Sequence, residues 1–573
     1  MTAISLDGGH IDLYKVKCYM SIRASTLSVA SLAISLGLLI TLLSTFIQTQ
    51  IARSEDGVTS QTFEPRTYWT VPDDIPLPTV TIFDTETQLG EGYIFFSPYP
   101  RRRGSSHYKS YRMIVDNRGE LIHYDKNQAY PDVDYHDFKA LPNGYLVYAQ
   151  RFHRLLDSSY QPAGIVSYGN RSSDFHEIQL LPNGNYMFFI YHERAVDMSE
   201  IVEGGDPDAV HIDCHLKEVQ ANGLLVFEWH SNEHFAITDT YKSLLDSQID
   251  GVHCNSVDLD HDGNLLISNR DLYEVTKIDR NTGDVIWRLG GKNNQFEFIN
   301  AIDAEDVIFE KQHDARRVPN GNLMLFDNRL SEYSRAIEYS LDETNMTATL
   351  VWEHRHTPDI FSARLGNAQR LSNGNTLVSW SYAETTLTEI NREGATLLEM
   401  ALPKEMTTYR SYRLPWVGHP VTVPDLVIIQ EEEVSGENIG TDDPQIRALK
   451  LAYSWNGATE VTAYQVYGDS SEHPQNLLTT EPKNGFETIT VFEHELLITA
   501  LAENYNFRVV PLGQNGEPFM ENETAAAISS PVVSTSDAIT HIITPTFTQT
   551  SDAIIHTLTP TFTQNNFLPL IRY

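Results

Sequence analysis

A nine-residue unit recurs along the chain and constrains its fold more than any other feature. It begins with histidine and ends in a Pro-Asn-Gly turn, as in His136–Gly144, His176–Gly184 and His313–Gly321. A stretched copy runs from His253 to Asp262-Gly263-Asn264, and a fifth, Gly366–Gly374, has glycine in the histidine's place. Asn-Gly and Asp-Gly allow the positive φ angles of tight turns, so each copy reads as a β-hairpin. A second unit alternates with the first, in Ile114–Gly119, in Lys277–Gly283, around Gly223 and Gly394, and in a longer form from Tyr339 to Trp352. Two hairpins make one four-stranded unit. Five or so such units over residues 89–416 predict an all-β fold, a six-bladed β-propeller. Ring closure would join the strand near Tyr93–Phe96 to the last one, near Tyr409–Arg413.

The rest of the chain divides around this region. From Ala24 to Ile47 there is no charged residue, and a helix needs roughly 20 such residues to cross a bilayer. Lys15, Lys17 and Arg23 precede the run, which places residues 1–23 in the cytoplasm and the bulk outside. Residues 24–47 are therefore expected as one N-terminal transmembrane helix or signal anchor, with a cleaved signal peptide as the rival. Residues 48–88, with Pro65, Pro72, Pro76 and Pro78, read as a linker. Residues 422–533 carry alternating strands at Leu449–Trp455, Val461–Tyr467 and Tyr505–Pro511, and their Trp and Tyr-x-Phe resemble a fibronectin type III sandwich. Residues 534–573 repeat a Thr/Pro-rich segment, Ser536–Gln549 and again Ser551–Gln564, which suggests an extended stalk.

Charge excludes some partners. With 77 acidic against 41 basic residues the net charge is −36, the wrong sign for neutralising nucleic-acid phosphates or adhering to an anionic membrane surface. Three cysteines cannot build a disulfide framework, and no CxxC pair offers zinc a site; Cys214 and Cys254 could pair outside the cell. Asp258–Gly263 resembles the start of a calcium loop, yet its twelfth position is Asn269 rather than a glutamate, and it stands where other copies have their turn. A turn and a calcium site both remain open there; otherwise no metal or cofactor is expected. Asn170, Asn345 and Asn522 begin glycosylation-type triplets, and Arg101–Arg103 forms a basic run that could steer anions or lie in an exposed loop.

Equivalent positions of successive propeller blades point the same way. If one repeated histidine faces the central channel, His136, His176, His253 and His313 converge there. Convergent imidazoles suit metal binding, proton transfer or anion binding; the plain alternative is that each only supports its own turn.

Asp250–Ser256, Lys311–Ala315, Leu325–Arg329 and Tyr333–Tyr339 resemble the arylsulfotransferase family, a likeness that spans roughly residues 90–416. The resemblance implies a six-bladed propeller. It also implies transfer of a sulfuryl group from a phenolic sulfate ester to a phenolic acceptor, through a sulfated histidine and without a nucleotide sulfate donor. On this likeness His253 and His313 hold the sulfuryl oxygens, Arg329 stabilises their charge, and Asn328 of the same motif belongs to the substrate site. The run corresponding to the family's nucleophilic histidine reads Thr408-Tyr409-Arg410. A threonine hydroxyl is far less nucleophilic unless a base activates it. His176 is then the proton shuttle or replacement nucleophile, with Tyr409 and Arg410 as substrate-binding groups. Two functions follow: a membrane-anchored, extracytoplasmic aryl sulfotransferase, or a non-catalytic propeller that binds a ligand or partner at the cell surface.

Overall fold

The computed structural model describes residues 49–53, 59–83, 88–128, 133–300, 308–432, 446–492, 505–519 and 527–528. The apolar run 24–47 and the tail 534–573 lie outside them. Among the described residues no helix is long and apolar enough to cross a membrane.

Six sheets, each with a four-stranded antiparallel core and three of them extended by further strands, account for most of the repeat region. The first joins Ser411–Leu414, Tyr93–Phe96, Tyr111–Val115 and Leu121–Lys126; the second runs from His136–Ala140 to Pro162–Val166. The third runs from Ile178–Leu180 to Leu225–His230, the fourth from Cys254–Leu259 to Val285–Gly290, and the fifth from His313–Arg317 to Thr347–His354. The sixth runs from Asn367–Arg370 to Thr396–Ala401.

Both faces of each sheet are apolar, because alternate residues of one strand enter two different cores. Leu265 and Ile267 pack with Met187 and Trp229 of the third sheet, whereas Leu266 packs with Leu323 and Tyr339 of the fifth. Equivalent cores join each neighbouring pair, and the last joins sixth to first through Leu377, Leu398, Phe96 and Met113. The arrangement is propeller-like, with the first strand of each repeat innermost.

The ring closes where expected: Ser411–Leu414 pairs with Tyr93–Phe96 in the register Ser411 to Phe96. A second closure corrects the expected linker. Thr79–Phe83, within residues 48–88, pairs with Thr396–Ala401 and extends the sixth sheet, and Thr59–Phe63 and Thr49–Arg53 add to it in turn. Val80 and Ile82 alternate into the core beside Leu398 and Met400. The surrounding prolines mask this short alternation in the sequence.

The Pro-Asn-Gly hairpins also differ from the expected turn. Only the glycine has positive φ, 84° at Gly144 and 87° at Gly321, and its amide bonds back three residues to the carbonyls of Leu141 and Val318. This is a type I turn followed by a left-handed glycine, the three-residue hairpin loop.

The C-terminal region forms a three-stranded sheet, Asp425–Glu432, Ile446–Ser454 and Glu487–Phe492, and a four-stranded one ordered Leu477–Pro482, Ala463–Asp469, Asn506–Leu512, Ala527–Ile528. Tyr453, Trp455, Tyr464 and Phe507 fill the space between them. The sandwich docks against the ring through Tyr160, whose hydroxyl donates to Gly457 O at 2.9 Å. A Cβ on Gly457 would stand 2.3 Å from that ring, so glycine is required at the contact. A disulfide joins Cys214 of the third sheet to Cys254 at the head of the fourth.

Candidate active site

Each repeated histidine sits at or just before the first residue of an innermost strand, at one end of the ring. Three of these strands are irregular at that point. The register shifts between His136 and Lys139, Cys254 and Ser256, and His313 and Arg316. Asp137, His253 and Asp314 there take positive φ of 48°, 53° and 58°. Such bulges re-aim side chains and are common beside functional sites. The fifth copy has Gly366 because its strand enters too tightly for a side chain: a Cβ would meet Phe326 and the Ser379 carbonyl, each at 2.7 Å.

The four histidines line a cavity of about 1410 Å³ that opens on the axis of the ring. The rings of His176 and His253 meet edge to face, centroids 4.9 Å apart. Phe175 stacks on His176 at 4.2 Å and lies tilted against His136 at 4.4 Å, so the wall between them is aromatic. Three of the rings, those of His176, His253 and His313, are oriented through Nδ1. Asp174 Oδ1 lies 2.7 Å from Nδ1 of His176, Asp250 holds Nδ1 of His253, and Asn328 Oδ1 lies 2.7 Å from Nδ1 of His313. The Asn328 amide nitrogen donates to Ser362 O and Leu365 O, so its oxygen must face His313 as an acceptor. Among the described residues no hydrogen bond reaches Nε2 of His176 or His313.

Burial draws His176 and His313 below the ordinary histidine range and His136 to about 4. Neighbouring cations act in the same direction on His313, with Arg270 foremost. His313 is therefore neutral, with its proton on Nδ1 and a lone pair on Nε2.

Below the histidines the channel is filled by ions. Asp137, Glu177 and Asp314, each following a repeat histidine, meet Lys139, Arg316 and Arg410. Lys139 lies 2.7 Å from Asp137 and 3.1 Å from Glu177, and Arg410 lies 3.1 Å from Glu177 and 3.6 Å from Asp314. Arg316 bonds Glu177 and Asp314, and the Tyr412 hydroxyl donates to Asp137 at 2.6 Å. Three cations balance three anions. Despite the cost of burial, these cations hold the Glu177 carboxyl down at about 2.

The residues singled out in the sequence divide between these two layers. His176, His253 and His313 reach the cavity, and Asn328 positions His313 from behind. Arg410 is fully buried in the ion layer and does not line the cavity. Tyr409 packs its ring against Phe175 and turns its hydroxyl to the His176 carbonyl, 3.2 Å away. Thr408 is buried as well; its hydroxyl donates to Arg410 O at 3.1 Å and accepts from Ser97 N at 3.2 Å. Arg329 is not among the cavity's described residues; its guanidinium lies 5.0 Å from the Tyr333 ring and 3.9 Å from Asp327. Its left-handed backbone, φ 59°, turns the chain after the second strand of the fifth sheet, and its amide is spent on Glu310 O.

Arg270 lines the cavity instead. It follows the second strand of the fourth sheet, its amide bonds to His253 O at 3.0 Å, and Asp271 braces its guanidinium with both oxygens at 3.0 Å. The signal for it was periodic: Arg151, Arg270 and Arg329 all follow the second strand of a repeat. Lys242, 3.6 Å from Asp271, adds a second cation on the same wall.

The calcium-loop segment is the turn of the fourth sheet's first hairpin. Its Asp260 and Asp262 are bonded to Lys277 at 2.9 and 2.7 Å, and Asp260 also to Arg317 at 2.8 Å. One further group, Asp250, His253 and Asp271, brings three ligand-type atoms within 4.8 Å of one another. Asp271 there is already neutralised by Arg270 and Lys242.

Among solved structures the chain is similar to a protein of unknown function from Bacteroides caccae, at 11% identity over 56% of this chain and 98% of that one, with a TM-score of 0.35. It is similar to virginiamycin B lyase from Staphylococcus aureus at 9% identity, over 56% of this chain and 96% of that one, with a TM-score of 0.31. A putative 6-phosphogluconolactonase from Bacteroides fragilis gives 12% identity, over 58% of this chain and all of that one, with a TM-score of 0.31. No curated protein matches. The Arylsulfotransferase (ASST) family, in contrast, matches residues 80–413, from the strand that extends the sixth sheet to the one that closes the first. That match takes in more than half of the sequence, so the chain belongs to the arylsulfotransferase family.

Proposed function

We propose that the protein moves a sulfuryl group from an aryl sulfate to a phenolic acceptor, with His176 as the nucleophile. The observation that carries this reading is the convergence of His176, His253 and His313 with Arg270 on one cavity. His176 has a carboxylate behind Nδ1 and no hydrogen-bond partner on Nε2 among the described residues, the arrangement of an activated ring nucleophile.

In the first half-reaction Nε2 of His176 forms a bond to sulfur as the aryl oxygen–sulfur bond breaks. The departing phenolate takes a proton from His253, whose imidazolium has Asp250 as counter-ion. In the second half the acceptor oxygen bonds to sulfur, the nitrogen–sulfur bond breaks, and the acceptor's proton passes to Nε2 of His313. One proton moved from His313 to His253 then restores the starting state. Arg270 and Lys242 supply fixed positive charge to the sulfuryl oxygens. On this reading Arg270 takes the part that the family likeness gave to Arg329, and His313 is a base rather than an oxygen-holding donor.

The six sheets read as six blades. The strand order of the C-terminal sheets fits a fibronectin type III-like spacer. The apolar run 24–47 would anchor the ring outside the cytoplasm, where the Cys214–Cys254 disulfide is stable. A second reading, a binding platform without turnover, rests on the burial of Thr408, which the family likeness sets at the nucleophile's position.

Incubation with 4-nitrophenyl sulfate and phenol separates the two. Acceptor-dependent nitrophenolate release that disappears in His313→Ala supports transfer. Absence of release from the folded protein across a panel of phenols favours the platform.

A further inference from the structure

Across the cavity from His253 and Arg270, loops beside the first and sixth sheets present guanidinium groups that form no close ion pair with a carboxylate among the described residues. In a chain with 77 acids and 41 bases, described arginines such as Arg112, Arg280, Arg317 and Arg335 form ion pairs. Arg101, Arg102, Arg103 and Arg364, all lining the cavity, form none among the described residues. Glu384 and Glu405 act on Arg101, and Asp134 on Arg103, only from a distance.

Two of these groups are held in place. Arg364 lies 4.8 Å from the centre of the Tyr382 ring, with Nη2 3.5 Å from its hydroxyl. Arg101 lies 5.4 Å from the same ring and is tied to the carbonyls of Met406 and Ala383. Cations braced by an aromatic ring and backbone are pre-ordered, so an anion binding there orders little more. A forked guanidinium also matches a planar carboxylate. The cavity thus has two cationic poles: one beside the reacting histidines, the other on the opposite wall. The rings of Tyr99 and Phe175 also line the cavity.

We propose that the wall of Arg101, Arg364 and Tyr382 is a subsite for a second acidic group, so that the preferred phenols carry a carboxylate away from the reacting hydroxyl. The proposal rests on reading the histidine cluster as the sulfuryl-transfer site. The subsite selects substrate by charge, while the aromatic walls accept any phenol ring. Exposure to solvent makes the selection salt-dependent.

The test is calorimetric titration of the full chain with 4-hydroxyphenylacetate and with 4-methylphenol, without a sulfate donor. The acid should bind roughly tenfold or more tightly than the neutral phenol, as a charge-assisted contact provides. That ratio should fall toward one in Arg364→Met, which keeps apolar bulk on Tyr382, and in high salt. Arg364→Gln, which keeps a polar side chain of similar reach beside Tyr382 without the charge, is the variant of choice if Arg364→Met does not fold. Equal affinities, binding of neither phenol, or a ratio unchanged in the variant would overturn the subsite. A transfer assay with the same acceptors separates the two readings. Preference without turnover leaves the subsite and removes the reaction, whereas turnover without preference does the opposite.

Discussion

Asn328 fixes the protonation of His313. Its carbonyl oxygen lies 2.7 Å from Nδ1 of the ring, and its amide nitrogen donates at 2.9 Å to each of two backbone carbonyls, Ser362 and Leu365. The amide cannot turn over without setting N–H groups against N–H and carbonyls against carbonyl. Asn328→Leu removes the acceptor and leaves the buried Leu365 carbonyl without its donor, while Ser362 O keeps only the Ser334 hydroxyl at 3.2 Å. Stability should fall by about 1–3 kcal/mol in denaturant titration, the cost of stranded buried polar groups. The 15N shifts of the His313 ring should show mixed tautomers. A ring that remains protonated only on Nδ1 would show that Lys311 O, 3.1 Å away, suffices by itself.

His176 gives the most direct test of the covalent route. Donor alone, without acceptor, should leave one sulfuryl group on the protein, located at His176 by peptide mass analysis. His176→Gln should abolish the adduct and lower kcat/KM by at least about a hundredfold. Burial holds the ring below the ordinary histidine range, so the neutral nucleophile survives as pH falls past 6.5. The acid limb of kcat/KM should lie below that value. Transfer with no adduct under any condition would point to direct transfer between bound donor and acceptor.

The ion layer beneath the histidines should govern acid stability. The Glu177 carboxyl is held near 2 in the folded chain against an ordinary 4.5. Its contribution is therefore complete above about 4.5 and is lost as pH falls from there toward 2. Glu177→Gln should remove that slope. At neutral pH it leaves three buried cations facing two carboxylates, a loss of about 3–5 kcal/mol. Lys139→Met added to Glu177→Gln restores the balance and should recover part of the loss. A double variant as unstable as the sum of the singles would show that Lys139 and Glu177 act independently.

The histidine repeat carried most of the fold, because each copy is one hairpin and its histidine marks the start of an innermost strand. The ring closure was legible for the same reason: once blades are counted, Tyr93–Phe96 lacks neighbours. Thr79–Phe83 was not, since five residues between prolines show too little alternation to separate a strand from a linker. At the site, His176, His253 and His313 were readable from spacing. Arg270 lines the cavity and Arg329 is not among its described residues, because family likeness fixes a motif, not the direction its side chain takes after a left-handed turn. The ion layer had a signal that spacing alone did not interpret. Asp137, Glu177 and Asp314 each follow a repeat histidine, but their partners Lys139, Arg316 and Arg410 come from separate sheets.

The Cys214–Cys254 disulfide ties the third sheet to the segment that presents His253 and its partner Asp250. The cysteines are 40 residues apart, and closing a loop of that length removes unfolded-chain entropy worth about 4 kcal/mol. Cys254→Ser should lower stability by up to that amount, and reduction of the native protein should match it. The site should also feel the loss. His253 has φ 53°, a strained conformation for a side chain with a Cβ, and the disulfide tethers the residue that follows it. The KM for the aryl sulfate should therefore rise in Cys254→Ser and in the reduced protein alike, while the affinity for 4-hydroxyphenylacetate, which is held at the opposite wall, changes little. Unchanged kinetics in a destabilised Cys254→Ser protein would confine the disulfide to stability and leave the positioning of His253 to Asp250.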